Sequence, residues 1–208
     1  MQLSVSILNA NNKKEMIEVL NNTDINYIHM DVMDGKFVTK TSLPYDELIN
    51  LSRLTNKKLD VHLMVEDPIE YIENIKDISN IEYITIHLEI DKDIKSILSK
   101  IREYGFKTGI SIKPNTDINN LIEYIDYIDL ILVMTVEPGL GGQKFIPFSI
   151  DRIKNIKKLI SNSNILIEVD GGINNITIKE LSDADIAVVG SYITTSDNPI
   201  DRINDLLV

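Results

Sequence analysis

The sequence predicts an α/β chain folded as a single-domain (β/α)8 barrel over residues 1–208, and three observations carry that expectation. Short β-branched runs alternate with longer stretches of helical spacing along the whole chain. The strand candidates number eight, the count that closes a parallel sheet on itself. No Gly-x-Gly-x-x-Gly opens the first helix, so the open doubly wound alternative lacks its dinucleotide signature. At 208 residues the chain is short for such a barrel but long enough for one sizeable core.

Taken in order, strand candidate Leu3–Leu8 leads to helix candidate Lys13–Asn21, and Tyr27–Val32 to Tyr45–Leu54. Leu59–Met64 leads to Pro68–Asp77, Tyr83–Leu88 to Lys92–Tyr104, and Lys107–Ile112 to Ile118–Tyr124. Leu130–Thr135 leads to Pro147–Ser161, Ile165–Asp170 to Ile176–Ser182, and Ile186–Gly190 to Pro199–Leu207. Ile72, Ile75 and Ile78 recur at helical spacing, as do Ile94, Ile97, Leu98 and Ile101. Asp67-Pro68 and Asn198-Pro199 each place a capping side chain before a proline suited to a first helical turn. Gly105 stands where a helix stop belongs.

Composition narrows the function. The chain is 43% hydrophobic and 25% charged, the balance of an ordinary soluble protein. Met1–Ala10 lacks the pattern of a signal peptide, and the longest apolar run, Leu130–Met134, is strand-sized, so neither secretion nor a membrane span is expected. Cysteine is absent, which excludes disulfides and thiolate chemistry and points to the cytoplasm. A net charge of −11 argues against a nucleic-acid partner. Any anionic ligand must be bound locally, most cheaply by backbone N–H groups at helix starts.

All three histidines fall near the C-terminal ends of strand candidates, where barrel enzymes carry their chemistry: His29, His62 and His87. Residues two apart on a strand share a face, so His29 sides with Asp31, His62 with Asp60 and Met64, and Asp170 with Glu168. If those faces are inner, His29, Asp31, His62 and Asp170 converge from three strands as a mixed N/O set suited to Zn²⁺, Fe²⁺, Mn²⁺ or Co²⁺. Spacing alone leaves an even alternative, in which Asp31 and Asp170 cap the glycine-bearing turns that follow them. Pro138–Gly142, Asp170–Gly172 and Gly190-Ser191 follow the last three strands. One such loop would read as a tight turn; three side by side favour a phosphate cradle of N–H groups. Met33, Met64 and Met134 also sit at strand ends, as core residues by default or as an apolar lid near the metal.

These residues resemble the ribulose-phosphate 3-epimerase family. The matching stretches are Ser6–Leu8, His29–Gly35, Asp60–Met64, Lys113-Pro114 with Thr116, Met134–Gly139, Gly141–Gln143, Glu168–Ile173 and Gly190-Ser191, in the family's order across nearly the whole chain. The resemblance implies a TIM barrel of the ribulose-phosphate-binding type and a metal-dependent epimerase of the pentose phosphate pathway. It would interconvert D-ribulose 5-phosphate and D-xylulose 5-phosphate as a homo-oligomer. One divalent metal ion, zinc first, would sit on His29, Asp31, His62 and Asp170. Asp31 and Asp170 match the family's two acid/base residues. Ser6, His62, Gly139, Leu140, Gly141, Gly142, Gly171, Gly172, Gly190 and Ser191 match its substrate and phosphate contacts, and Met33, Met64 and Met134 its site-lining methionines. His87 carries no ligand role and belongs to a polar network.

The sequence departs from the family at three places. Val5 stands for a usual Pro, Leu140 for a usual Phe in a loop expected to close over substrate, and Thr39–Pro44 is shortened. Three rivals remain. An epimerase of a hexulose 6-phosphate such as allulose 6-phosphate would share every feature. A barrel lyase or decarboxylase would need a lysine at a strand end, for which Lys113 is the candidate. A binding protein without activity would not need the aspartate pair.

Overall fold

The computed structural model describes residues 1–207. Strands β1 (Gln2–Ser6), β2 (Tyr27–Asp34), β4 (Lys58–Met64), β5 (Ile81–His87), β6 (Lys107–Ile112), β7 (Leu130–Met134), β8 (Leu166–Asp170) and β9 (Ile186–Val189) form the barrel, and β3 (Thr41–Ser42) lies outside it. Parallel pairing runs β1-β9-β8-β7-β6-β5-β4-β2, and a further β1–β2 pairing closes the ring. Closure leaves the barrel strands without a free edge. Each strand is then followed by helix or turn on the outside: α1 (Lys13–Asn21), α2 (Tyr45–Ser52), α3 (Pro68–Ile75), α4 (Ile94–Glu103) and α5 (Ser149–Leu159), with α6 (Ser191–Thr194) and α7 (Pro199–Asn204) after β9.

The helix stops and starts follow their local chemistry. Asp67 accepts a hydrogen bond from the Ile69 N–H with Pro68 in the first turn. Asn198 does the same for α7 from the Asp201 N–H. Asn12 caps α1, and Gly105 ends the α4 region at φ +88°. Helix α4 buries Ile94, Ile97, Leu98 and Ile101 on one face, each contributing roughly 1.5–3 kcal/mol by removal from water. This outer layer between helices and barrel holds most of the apolar core. Val5, at the position of a usual Pro, is fully buried there and pairs with both Ile28 and Val189.

Three expected elements differ. Ile118–Tyr127 and Thr177–Glu180 are 3₁₀ helices, and the first buries only Leu121, too narrow an apolar stripe to favour an α-helix. The single turn α6 precedes α7. The shortened Thr39–Pro44 segment folds back as β3, antiparallel to Met33 and Asp34, before Leu43 turns at φ +52°.

Inside the barrel the floor is apolar: Tyr27, Tyr83, Leu130 and Ile186 pack with Leu166. The two tyrosines meet edge to face at 5.7 Å. Above this floor the interior turns polar. One interior contact is steric: a methyl group on Gly109 of β6 would lie 2.2 Å from Thr85 Oγ1, an atom without a hydrogen-bond partner. Gly109→Ala is therefore expected to lower stability by about 1–3 kcal/mol through overpacking. Thr85→Ala in the same chain should restore most of it in denaturant unfolding; an additive double variant would contradict the assignment.

Candidate active site

The inner faces of β2, β4 and β8 bring His29, Asp31, His62 and Asp170 together, and one ligand atom from each lies within 4.8 Å of all the others. Parity does the placing: along β2 every second residue faces inward, and β4 is in register with it, Asp31 opposite His62. The capping alternative falls to Asp34 instead. Its Oδ1 accepts the Lys36 and Phe37 N–H groups at 2.8 and 2.9 Å, and its Oδ2 accepts from Glu66 N–H, so Asp31 is left free to point inward.

The donors are arranged as metal ligands are. His29 Nδ1 lies 2.6 Å from Asp60 Oδ2, which also accepts from Ser4 Oγ at 2.9 Å. His29 Nε2, fully buried, makes no hydrogen bond and faces Asp31 Oδ1 at 3.3 Å. His62 Nδ1 faces the same oxygen at 3.3 Å. Asp31 Oδ2 accepts from Ser6 Oγ at 2.7 Å. A buried imidazole with one nitrogen on a carboxylate and the other bare is the arrangement that orients a ligand to a cation. Two histidines and two aspartates fit a divalent transition ion.

The surrounding charges push the proton occupancies apart. Burial would lower the His29 pKa, but the Asp60 and Asp31 carboxylates outweigh it and hold the ring well above its ordinary value. Burial would raise Asp31, but the His29 charge wins and keeps Asp31 far below the carboxylate range. Asp170 goes the other way: burial and then the Asp31 charge push it up to about 7. Burial holds His62 below the ordinary imidazole value. Beneath them Glu168 is raised well above its usual range by burial and by Asp60, so it is neutral and can donate an O–H to Asp60. His29, Asp60 and Glu168 form a second group of possible ligands, deeper and sharing His29.

A cavity of about 360 Å³ opens over the carboxylates. It is lined by Ser6, Asp31, Asp170, Met33, Met64 and Met134, and by Gly139, Leu140, Gly141, Gly142, Gly171, Gly172, Gly190 and Ser191. His29 and His62 lie behind the carboxylates, both fully buried. The methionines form walls rather than a lid: Met33 and Met64 pack with Val38, and Met134 with Leu132 and Val136. Leu140 is the exposed tip of its loop, at 56%. Gly172 needs its residue type for geometry, with φ +69° and a would-be methyl 2.3 Å from the Phe145 backbone nitrogen. Gly141 instead yields space to Asn9, whose Nδ2 donates to Ser191 Oγ at 2.7 Å. Gly141, Gly142 and Gly172 donate no hydrogen bond to another backbone group among the described residues.

Asn9, Asn174 and Thr195 also line the cavity and escape sequence reasoning, since each lies in a loop or short turn without a spacing signal. Lys113, the lysine a lyase would use, stays outside the cavity with its ammonium 4.1 Å from the centre of the Phe37 ring.

The raised Asp170 pKa makes stability depend on pH. A carboxyl raised on folding contributes stability that is complete below its unfolded value and lost as pH rises towards its folded value near 7. In chelator, the wild-type unfolding midpoint is therefore expected to fall relative to Asp170→Asn as pH rises from about 4 to 7. Asp31 and Asp60, both lowered, act in the opposite direction in both proteins and cancel in the comparison. Parallel profiles for the two proteins would contradict this.

Comparison with known proteins supplies the family. The model of the "Ribulose-phosphate 3 epimerase family" matches residues 2–194. A ribulose-phosphate 3-epimerase of Aquifex aeolicus is 38% identical over 170 residues, 80% of this chain and 76% of that protein. One of Helicobacter pylori strain J99 is 36% identical over 202 residues, 94% of this chain and 92% of that protein. Among solved structures, KGPDC from Streptococcus mutans, in complex with a sugar phosphate, superposes with a TM-score of 0.75, covering 99% of this chain and 94% of its own at 15% identity. A 3-hexulose-6-phosphate synthase superposes at 0.71 and 13% identity, covering 99% and 98%. These two likenesses establish the TIM-barrel fold alone. With two relatives matched over most of their length, and a family model covering nearly all of the chain, the protein belongs to the ribulose-phosphate 3-epimerase family.

Proposed function

We propose that the chain, acting as one catalytic domain, interconverts D-ribulose 5-phosphate and D-xylulose 5-phosphate with Asp31 and Asp170 as its two acid/base residues. Family membership makes it an isomerase, an epimerase acting on carbohydrates. The observation that carries the finer reading is the pair of carboxylates facing one cavity with opposite proton occupancy. Asp31 is ionised by His29, while Asp170 is pushed up to about 7. Environments that drive two titratable groups apart assign base and acid.

Epimerisation at C3 of a 2-ketose breaks a C–H bond next to the carbonyl and forms a new one on the opposite face. Ionised Asp31 can accept the proton, and protonated Asp170 can return one; in the reverse direction the roles exchange. The two side chains come from strands separated by β1 and β9, which supports approach from different sides. Ser6, donating to Asp31 Oδ2, orients that carboxylate. His29, Asp31, His62 and Asp170 would hold one divalent metal ion, zinc first, which when bound would act as a Lewis acid on the developing negative charge. The N–H groups of Gly141, Gly142 and Gly172 and the side chains of Ser191 and Asn9 suit a phosphate at the cavity rim. That anchor carries no chemistry but holds C3 between the carboxylates. A cysteine-free sequence fits the cytoplasm, where the pentose phosphate pathway runs, and the family resemblance suggests a homo-oligomer. Among the described residues, no helix is long and apolar enough to cross a membrane.

Asp31→Asn and Asp170→Asn are each expected to lower turnover by at least about 10²–10⁴-fold with the protein still folded, the range lost with a general acid or base. The assay couples ribulose 5-phosphate turnover to xylulose 5-phosphate detection, with allulose 6-phosphate run beside it. Near-normal turnover in either variant removes the two-base mechanism, and faster turnover of the hexulose phosphate replaces the pentose assignment.

A further inference from the structure

Behind His62 a chain of buried groups runs away from the cavity. His62 Nε2 lies 2.9 Å from His87 Nε2, and His87 Nδ1 lies 2.9 Å from Glu89 Oε2. Glu89 Oε1 accepts the Lys113 N–H at 2.7 Å and the Thr116 hydroxyl. His62 and His87 are fully buried, and the His87 ring packs on Phe37 at 4.6 Å. Neither His87 nor Glu89 lines the cavity, so neither can touch a substrate.

We infer that His87 and Glu89 are positioning residues that fix the tautomer of His62, leaving its Nδ1 lone pair free for the metal ion. The inference rests on the metal reading above and deepens it. Counting protons along the chain leads to it. Glu89 Oε1 is committed to two donors, so its carboxylate presents Oε2 to His87 as an acceptor. A proton must then sit on His87 Nδ1, and the neutral ring has Nε2 bare. Two nitrogens 2.9 Å apart need one proton between them, so His62 supplies it from Nε2. His62 Nδ1 is thereby left without a proton, facing Asp31 Oδ1. The opposite arrangement would put the Nδ1 proton towards Asp31 at 3.3 Å but leave a bare His87 nitrogen against a carboxylate at 2.9 Å. The shorter contact decides between them, because repulsion grows as distance falls.

Glu89→Gln tests this without changing shape. The amide oxygen must take the Lys113 N–H, which turns the amide N–H₂ towards His87 and reverses every proton along the chain. In histidine-labelled, metal-free protein, long-range ¹H–¹⁵N correlation should show His62 protonated at Nε2 in wild type and at Nδ1 in Glu89→Gln. Affinity for Zn²⁺ alone, measured by competition with a chromophoric chelator, should fall roughly 10–100-fold in the variant, the cost of losing a ligand's orienting partner. His87→Phe keeps a ring against Phe37 but removes the acceptor, and should weaken Zn²⁺ comparably. Circular dichroism and the unfolding midpoint in chelator establish that each variant is folded; should His87→Phe fail to fold, Glu89→Gln decides alone. Wild-type Zn²⁺ affinity in folded Glu89→Gln, or an unchanged His62 tautomer, overturns the inference while leaving the metal reading intact. A wild-type protein that binds no Zn²⁺ overturns the metal reading, and the inference with it.

Discussion

The interaction on which the site depends is the placement of His29 between two buried carboxylates, Asp60 at 2.6 Å on one nitrogen and Asp31 at 3.3 Å on the other. Charges taken out of water are tolerated only when they are paired and hydrogen-bonded. His29 meets that condition for both aspartates, and the effect spreads outward. Ser4 and Ser6 donate to the carboxylates, Glu168 stays neutral beneath them, and Asp170 keeps its proton because Asp31 does not. A divalent cation among the same ligands would supply the positive charge that His29 otherwise supplies with a proton.

The fold and the metal-type set were legible because both obey simple periods. Eight strand–helix alternations pointed to the barrel, and the two-residue strand period put His29 with Asp31 and Glu168 with Asp170 on one face. What the sequence hid depends on groups that meet through space. The Asp34 turn cap takes the place that Asp31 could have held, and only the backbone direction separates them. Asn9 and Ser191 are 182 positions apart yet share a hydrogen bond at the cavity rim. Strand β3 has two residues and no pattern to read. The 3₁₀ form of Ile118–Tyr127 reflects how little of that segment finds a surface to bury against. His87 stood out only as a histidine near a strand end; its role needs Glu89 and His62 on either side.

An acidic chain with a net charge of −11 is a poor general attractor of anions. The cavity answers this locally, with glycine backbone over one half and carboxylates confined to the other. The barrel itself carries no such instruction. Proteins of 13–16% identity share the fold with other names, including a synthase and a thiamine phosphate pyrophosphorylase, so function is lodged in the inward-facing side chains at the strand ends.

The most direct test is a crystal structure of the protein grown with Zn²⁺ and measured on both sides of the zinc absorption edge. A single strong anomalous peak is expected, held by His29, Asp31, His62 and Asp170, with Asp60 still on the far nitrogen of His29. No peak there, or one seated on the deeper His29–Asp60–Glu168 group, would contradict the four-ligand site.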